Sequence, residues 1–179
     1  MKVTFAAPGV PASGALAVGV LTGGKLTPSA SRLDKKTHGA LRRAIRSAPR
    51  FGGEKGQVLE VPAPVGSRLS RVVLVGLGKP EEMDALAYEA LGGTLARRFA
   101  GGDHSGAVAV DVVNSTKVDA SEAAARVGYG ASLGAYRFDQ YRTKLEADKQ
   151  PSLKTMAVLA ADADAARATF RRLSHVSEG

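Results

Sequence analysis

Residues 71–79 read Arg71-Val72-Val73-Leu74-Val75-Gly76-Leu77-Gly78-Lys79, and this stretch decides the fold. It is rich in β-branched residues, carries no charge between its ends and stops at a glycine turn. That is the pattern of a buried strand. Just upstream, Gln57–Val61 is a short strand limited by Pro62 and Pro64. Before it, Leu33, Leu41, Ile45 and Ala48 fall on one face of a helix that Pro49 and Gly52-Gly53 close. Ala15–Leu21 is almost continuously apolar, as in a strand covered on both sides, and Val3–Ala6 is a further strand. Downstream, Pro80 opens a helix whose stripe runs Met83, Leu86, Ala87, Ala90, Leu91, Leu95 and Phe99, with Glu81, Glu82 and Asp84 complementing its dipole. Gly101-Gly102 stops it, and Ala107–Val113 is the next strand. Ser121 is placed to cap a third helix with Ala124, Val127, Ala131 and Ala135 inward. Leu153–Ala160 and Asp162–Val176 complete the chain as strand and helix. Strands that alternate with helices predict an α/β fold, a mostly parallel sheet covered on both faces.

Composition narrows the function. At 179 residues and 44% apolar, the chain suffices for one domain with a real core. It has no cysteine, which excludes a disulfide framework, a thiolate nucleophile and a Cys-ligated metal. With 25 Lys and Arg against 17 Asp and Glu, the net charge of +8 raises nucleic acid, acidic lipid or an acidic partner as candidates. Only 5% of residues are aromatic and none is Trp, which leaves little for base stacking. Pro8, Pro11, Gly9, Gly14 and Gly19 break up the apolar start, so it does not read as a secretory signal. No membrane span is expected, and Asn114 in Asn-Ser-Thr matches a glycosylation acceptor only formally. The expected location is cytoplasmic.

Four patterns resemble chemistry, and each has a plainer explanation. Gly19-Val20-Leu21-Thr22-Gly23-Gly24-Lys25 fits most of a phosphate loop, but Leu26 stands where Ser or Thr should hold Mg²⁺. Thr27-Pro28 is also expected to keep a helix from starting directly. Gly130-Ala131-Ser132-Leu133-Gly134 matches a nucleophile elbow, with Asp162 and His175 in hydrolase order, yet the preceding run is Ala-rich and helical rather than a strand. Ser132 is expected to bond back to a helix carbonyl. His38, His104 and His175 are isolated, and Asp103-His104 reads as a solvated turn. Asp162 and Asp164 read as helix N-terminal acids rather than as a metal site. The pairs Arg42-Arg43, Arg97-Arg98 and Arg171-Arg172 could serve a DNA surface if they clustered on one face. The simpler reading is solvated cations late in helices. These residues supply no catalytic constellation.

Three segments together resemble one family. Leu33-Asp34, Gly39-Ala40-Leu41 and Phe51-Gly-Gly-Glu-Lys-Gly56 resemble the "LD…G.L…F.G..G" stretch of the N-terminal domain of leucyl (cytosol) aminopeptidases. Arg71–Lys79 resembles that domain's central strand and glycine turn. Gly128 through Lys144, with Leu133-Gly-Ala-Tyr-Arg-Phe138-Asp-Gln-Tyr141-Arg-Thr-Lys144, resembles the family's G-x-x-L-G-x-Y-x-F-x-x-Y-K-T segment, Arg142 standing where Lys is usual.

The resemblance implies a macro-domain-like three-layer fold over residues 1–179 as one non-catalytic N-terminal domain. It places the chemistry in a C-terminal domain, absent here, that carries the N-T-D-A-E-G-R signature. Two Zn²⁺ or Mn²⁺ ions there would activate water and polarise the scissile carbonyl of a peptide substrate. No catalytic, cofactor-binding or metal-ligating residue is therefore assigned within this chain. The implied partners are the catalytic domain and neighbouring subunits of a homo-hexamer, with the domain shaping subunit assembly or active-site access. An ADP-ribose or nucleotide module, using Gly76–Lys79 or Gly101–Gly106, is the alternative that fold analogy suggests.

Overall fold

A computed structural model of the protein describes residues 1–112, 117–142 and 152–177. Seven strands are β1 Lys2–Ala6, β2 Ala15–Leu21, β3 Lys25–Leu26, β4 Val58–Pro62, β5 Arg71–Gly78, β6 Ser105–Ala109 and β7 Thr155–Leu159. Five helices are α1 Pro28–Lys36, α2 Ala40–Arg46, α3 Ala85–Phe99, α4 Ala120–Arg142 and α5 Ala163–Ser177. The strands form one sheet in the order β1-β7-β6-β2-β5-β4, with the short β3 paired to β2. Neighbours from β1 through β5 run parallel, whereas β4 joins β5 and β3 joins β2 antiparallel. The sheet is mixed and mostly parallel, as the alternating pattern predicts.

Every residue of β2 is buried, and so is all of β5 beyond Arg71, because both strands are sandwiched. Val73, Val75 and Leu77 enter a core under α3, α4 and α5, together with Leu95, Phe99, Val127 and Met156. Val72 and Leu74 enter a second core under α1 and α2, with Leu16, Val18, Leu33 and Leu41. The alternation follows from the period-two geometry of strands, and each fully buried Val or Leu contributes about 1.5–3 kcal/mol. Phe5 on β1 meets Phe170 on α5 with ring centroids 5.3 Å apart, tying the sheet's far edge to its last helix.

Three helix boundaries differ from the sequence expectation. The single helix expected around Leu33–Ala48 is two helices, because His38 and Gly39 adopt positive φ of 55° and 81°. The apolar spacing stays in phase across the break, so periodicity alone could not reveal it. Asp34, only 2% exposed, repairs the break: its Oδ1 accepts the amides of Leu41 at 3.0 Å and Arg42 at 3.1 Å. A carboxylate seven residues upstream thus acts as the cap of α2, and Arg42 Nη1 adds an ion pair at 3.2 Å. Replacing Asp34 with Ala should cost about 2 kcal/mol, since two amides lose their acceptor in a buried place. Urea unfolding measures this, and a loss below about 0.5 kcal/mol would deny Asp34 the capping role.

The helix expected from Pro80 is a 3₁₀ turn over Pro80–Glu82, and α3 starts only after Asp84, whose side chain accepts the amide of Ala87 at 2.8 Å. The buried stripe also differs from the expected one: Leu86 is 71% exposed while Tyr88 is buried. For α4 the cap is Asp119 rather than Ser121, with Oδ1 accepting the Glu122 amide at 2.8 Å. The strand expected over Ala107–Val113 is shifted to Ser105–Ala109, and Val113 lies outside the described residues, as does Asn114.

Candidate functional site

The phosphate-loop residues form a hairpin turn between β2 and β3. Both the Gly23 and Gly24 amides point at Gly52 O, at 2.9 and 3.1 Å. A helix does begin directly after, contrary to expectation: Pro28 is its first residue, where a missing N–H costs nothing, and Thr27 precedes it in extended conformation. That N-terminus is already occupied. The Ser29 amide donates to Asp111 Oδ2 at 2.8 Å, and its hydroxyl donates to Oδ1 at 2.9 Å. A carboxylate of the chain itself holds the place an incoming phosphate would take. Burial pushes the Tyr88 phenol above its ordinary pKa, and the nearby Asp111 charge adds to the rise.

Ser132 lies within α4, and its hydroxyl donates to Gly128 O at 3.2 Å. Asp162 accepts the Ala165 amide at 3.0 Å as the cap of α5, and Asp164 pairs with Arg167 at 2.6 Å. His175 sits near the other end of α5, so Asp162 and His175 are separated by most of a 15-residue helix, on the order of 20 Å. The hydrolase order in the sequence therefore corresponds to no triad.

Asp103 is not in a solvated turn, as expected, but buried at 7% exposure. Ser70 Oγ donates to its Oδ1 at 2.9 Å, while Arg71 donates to Oδ2 through Nε at 2.9 Å and Nη2 at 2.6 Å. Arg71 also pairs with Glu60 at 2.7 Å, donates to Arg98 O at 2.9 Å and lies 5.9 Å from the Phe99 ring centroid. Partial burial works against the Arg71 charge, but Asp103 and then Glu60 more than offset it and raise its pKa further above the ordinary guanidinium range. The cluster joins the starts of β5 and β6 to β4 and to the end of α3. Sequence reasoning missed it because its members are 43 positions apart at the extremes, Glu60 to Asp103, with no shared motif. His104 remains exposed, with Nδ1 3.3 Å from Ser152 O.

The two loops considered for a nucleotide are filled. In Gly76–Lys79, the Gly76 amide donates to Gln57 O at 2.8 Å and the Gly78 amide to Gly53 O at 2.9 Å. A Cβ on Gly76 would run into Glu54 O, which shows how closely the 51–57 loop lies on β5. In the other loop, the Gly102 and Asp103 amides both turn back to Phe99 O, at 3.3 and 3.0 Å. A cleft of about 340 Å³ does open beside α1, between Val10, Leu16, Val18 and Leu33, with Arg32 among its walls. Its walls are mainly apolar, and the neighbouring helix N-terminus is closed by Asp111. Among the described residues no three His, Asp or Glu side chains converge as metal ligands.

The arginine pairs do not share a face. Arg42 and Arg43 lie on α2, on one side of the sheet, whereas Arg97-Arg98 on α3 and Arg171-Arg172 on α5 lie on the other. No helix among the described residues is long and apolar enough to cross a membrane.

Comparison with known proteins places these observations. Residues 17–145 match the profile of the cytosol aminopeptidase family, N-terminal domain. A probable cytosol aminopeptidase of Caulobacter vibrioides is 40% identical over 167 residues, covering 93% of this chain and 32% of that protein. Another, of Rhodopseudomonas palustris, is 33% identical over 180 residues, covering 100% of this chain and 35% of that one. The chain thus spans about a third of the length of the curated relatives it matches. Among solved structures, a mutant of tomato leucine aminopeptidase superimposes with a TM-score of 0.76 at 21% identity, over 99% of this chain and 36% of that one. A Trypanosoma brucei macrodomain in complex with ADP gives a TM-score of 0.60 at 11% identity, over 96% and 69% of the two chains. These likenesses establish the macro-domain-like α/β fold. From its matched residues and its relatives, the chain belongs to the cytosol aminopeptidase family and corresponds to that family's N-terminal domain.

Proposed function

We propose that this chain is the non-catalytic N-terminal domain of a two-metal leucyl aminopeptidase, a cytoplasmic hydrolase that releases N-terminal amino acids from peptides. Hydrolysis belongs to a catalytic domain that would account for the remaining length of the relatives. The observation that carries the reading is the match of residues 17–145 to the N-terminal domain alone, with about a third of each relative covered. The domain itself contributes to subunit assembly, a homo-hexamer in the full-length enzyme, or to access to the active site. Its rigid three-layer core and its satisfied loops suit a scaffold better than a reaction vessel.

The reading expects no turnover from this chain. With a leucine anilide and added Mn²⁺ or Zn²⁺, release of the aniline should stay at the level of metal alone, and release above that level overturns it. A coding sequence that continues past Gly179 into Asn-Thr-Asp-Ala-Glu-Gly-Arg would supply the missing chemistry; one without that signature would remove the basis for a parent hydrolase.

A further inference from the structure

Strand β4 ends the sheet beside β5, and between it and α3 lies a cavity of about 140 Å³. Val75, Leu77, Met83 and Ala87, all buried, line it together with the half-buried Val58 of β4 and Leu91 of α3. Val58 stands opposite Val75 in the β4–β5 register. The loop that carries the rim is pinned to the sheet. The Gly76 amide donates to Gln57 O at 2.8 Å, and Glu54 O fills the place of a Gly76 Cβ. The rim itself is charged. Lys55 lines it and is exposed. Glu82 directly precedes Met83, and a Cβ on Gly78 would meet Glu82 Oε2 and, at 3.4 Å, the Cβ of Lys55. Two opposite charges thus start from one place at the mouth. Among the described residues neither makes an ion pair. The other polar side chains nearby are engaged. Glu54 accepts the Thr22 hydroxyl, Gln57 accepts the amides of Gly52 and Glu54, and the Thr94 hydroxyl accepts from Arg97.

We propose that this cavity binds a free amino acid with a small apolar side chain. Size sets the first limit. Nucleotides and drug-sized ligands occupy pockets of roughly 300–1,000 Å³, whereas an apolar cavity of about 150 Å³ takes a molecule the size of benzene. One branched aliphatic side chain fits that space. Charge sets the second limit. A side chain seated against Val75, Leu77 and Met83 leaves its own backbone groups at the mouth, where Lys55 donates to the carboxylate and Glu82 accepts from the ammonium. A fatty acid satisfies Lys55 but faces the like charge of Glu82, and an alkylamine meets the reverse conflict with Lys55. A leucine inside a polypeptide carries neither charge. Only the zwitterion matches both rim groups. Free amino acids are also what the proposed parent reaction releases, so the site would sense product. That role alone rests on the hydrolase reading; the binding rests on the cavity.

Two of the three methionines report on the test. Met83 lines the cavity, while Met156 is fully buried on β7, which β6 and β2 separate from β5. The chain, labelled with ¹³C at its methionine methyls, is titrated with leucine near neutral pH and followed by NMR. The Met83 signal should shift saturably in the low-millimolar range while Met156 stays in place. Ala90→Phe, at an exposed position of α3 on the cavity wall, should fill the space and abolish the shift. Lys55→Gln and Glu82→Gln should each weaken binding about twofold to fivefold, the range for exposed charge contacts. Isocaproate and isoamylamine, which each lack one of leucine's charges, should bind more weakly by a similar factor. Circular dichroism melts check that the variants fold. No saturable shift of Met83, an equal shift of Met156, a shift unchanged in Ala90→Phe, or either analogue binding as well as leucine would each overturn the proposal. The titration involves no turnover, so failure to bind leaves the hydrolase reading standing. A coding sequence without the hydrolase signature would remove that reading and leave the binding untouched.

Discussion

Asp103→Ala is expected to destabilise the protein by about 3–5 kcal/mol, the range for removing one partner of a buried ion pair. The geometry argues for the upper part of that range. Asp103 accepts three hydrogen bonds, two from Arg71 and one from Ser70, and its own exposure is 7%. Its loss leaves the Arg71 side chain, itself 20% exposed, with Glu60 as its remaining carboxylate. Glu60 is 37% exposed and is shared with Arg98, so water screens much of what it can return. Arg71→Met combined with Asp103→Leu should recover a good part of the loss, because the double replacement leaves no unpaired charge. Urea unfolding of wild type, Arg71→Met, Asp103→Leu and the double variant gives the coupling directly. Additive losses, or an Asp103→Ala cost below about 1 kcal/mol, would mean that the cluster is not the clamp its distances describe.

The contrast between Asp103 and the strands shows what a sequence displays and what it hides. β2 and β5 are legible because burial on both faces demands apolar residues at every position, so the whole demand is written in consecutive letters. The break between α1 and α2 is hidden because Leu33, Leu41 and Ile45 keep helical phase across it. Its signal was Gly39, together with the buried Asp34, which belongs to the "LD…G.L" resemblance. That motif now has a physical reason: Gly39 supplies the left-handed turn and Asp34 caps the helix that follows. The start of α3 is hidden for a related cause. Pro80 and Asp84 both suit a helix start, and only packing decides that Asp84 is the cap. Asp111 and Asp103 were illegible in kind, since their partners Ser29 and Arg71 lie 82 and 32 positions away. The helical setting of Ser132, whose hydroxyl bonds back to Gly128 O, was legible, because the Ala-rich run before it already conflicts with a nucleophile elbow. The charge was the opposite case. Its total is plain in the composition, but the outward placement of the cations of residues 25–50 depends on which sides of α1 and α2 are buried.

Gly130→Ala tests whether packing or propensity governs the helical layer, since the two predict opposite signs. Gly130 lies inside α4, where alanine is favoured over glycine by about 1 kcal/mol, so an isolated helix would gain. In the protein, α4 crosses α3 closely enough that a Cβ on Gly130 would collide with the backbone of Glu89, its carbonyl oxygen first. A Cβ on Gly92 of α3 would in turn meet Val127 O and the Ala131 amide. Backbone cannot swing aside as a side chain does. The helices must separate, and Leu95, Val127 and Ala131 lose contact in the core beneath them. Such overpacking costs about 1–3 kcal/mol or more, so the expected result is a net loss near 3 kcal/mol for Gly130→Ala and for Gly92→Ala. Gly93 provides the comparison on the same helix. Its nearest neighbour would be Gly130 O at 3.3 Å, which a shift of a few tenths of an ångström relieves, so Gly93→Ala should cost far less. Thermal and urea unfolding of the three variants rank them. A gain in stability at Gly130 or Gly92 would show that the crossing is looser than these approaches imply; a loss at both, with Gly93→Ala near wild type, would identify backbone contact as the element that sets the helix spacing.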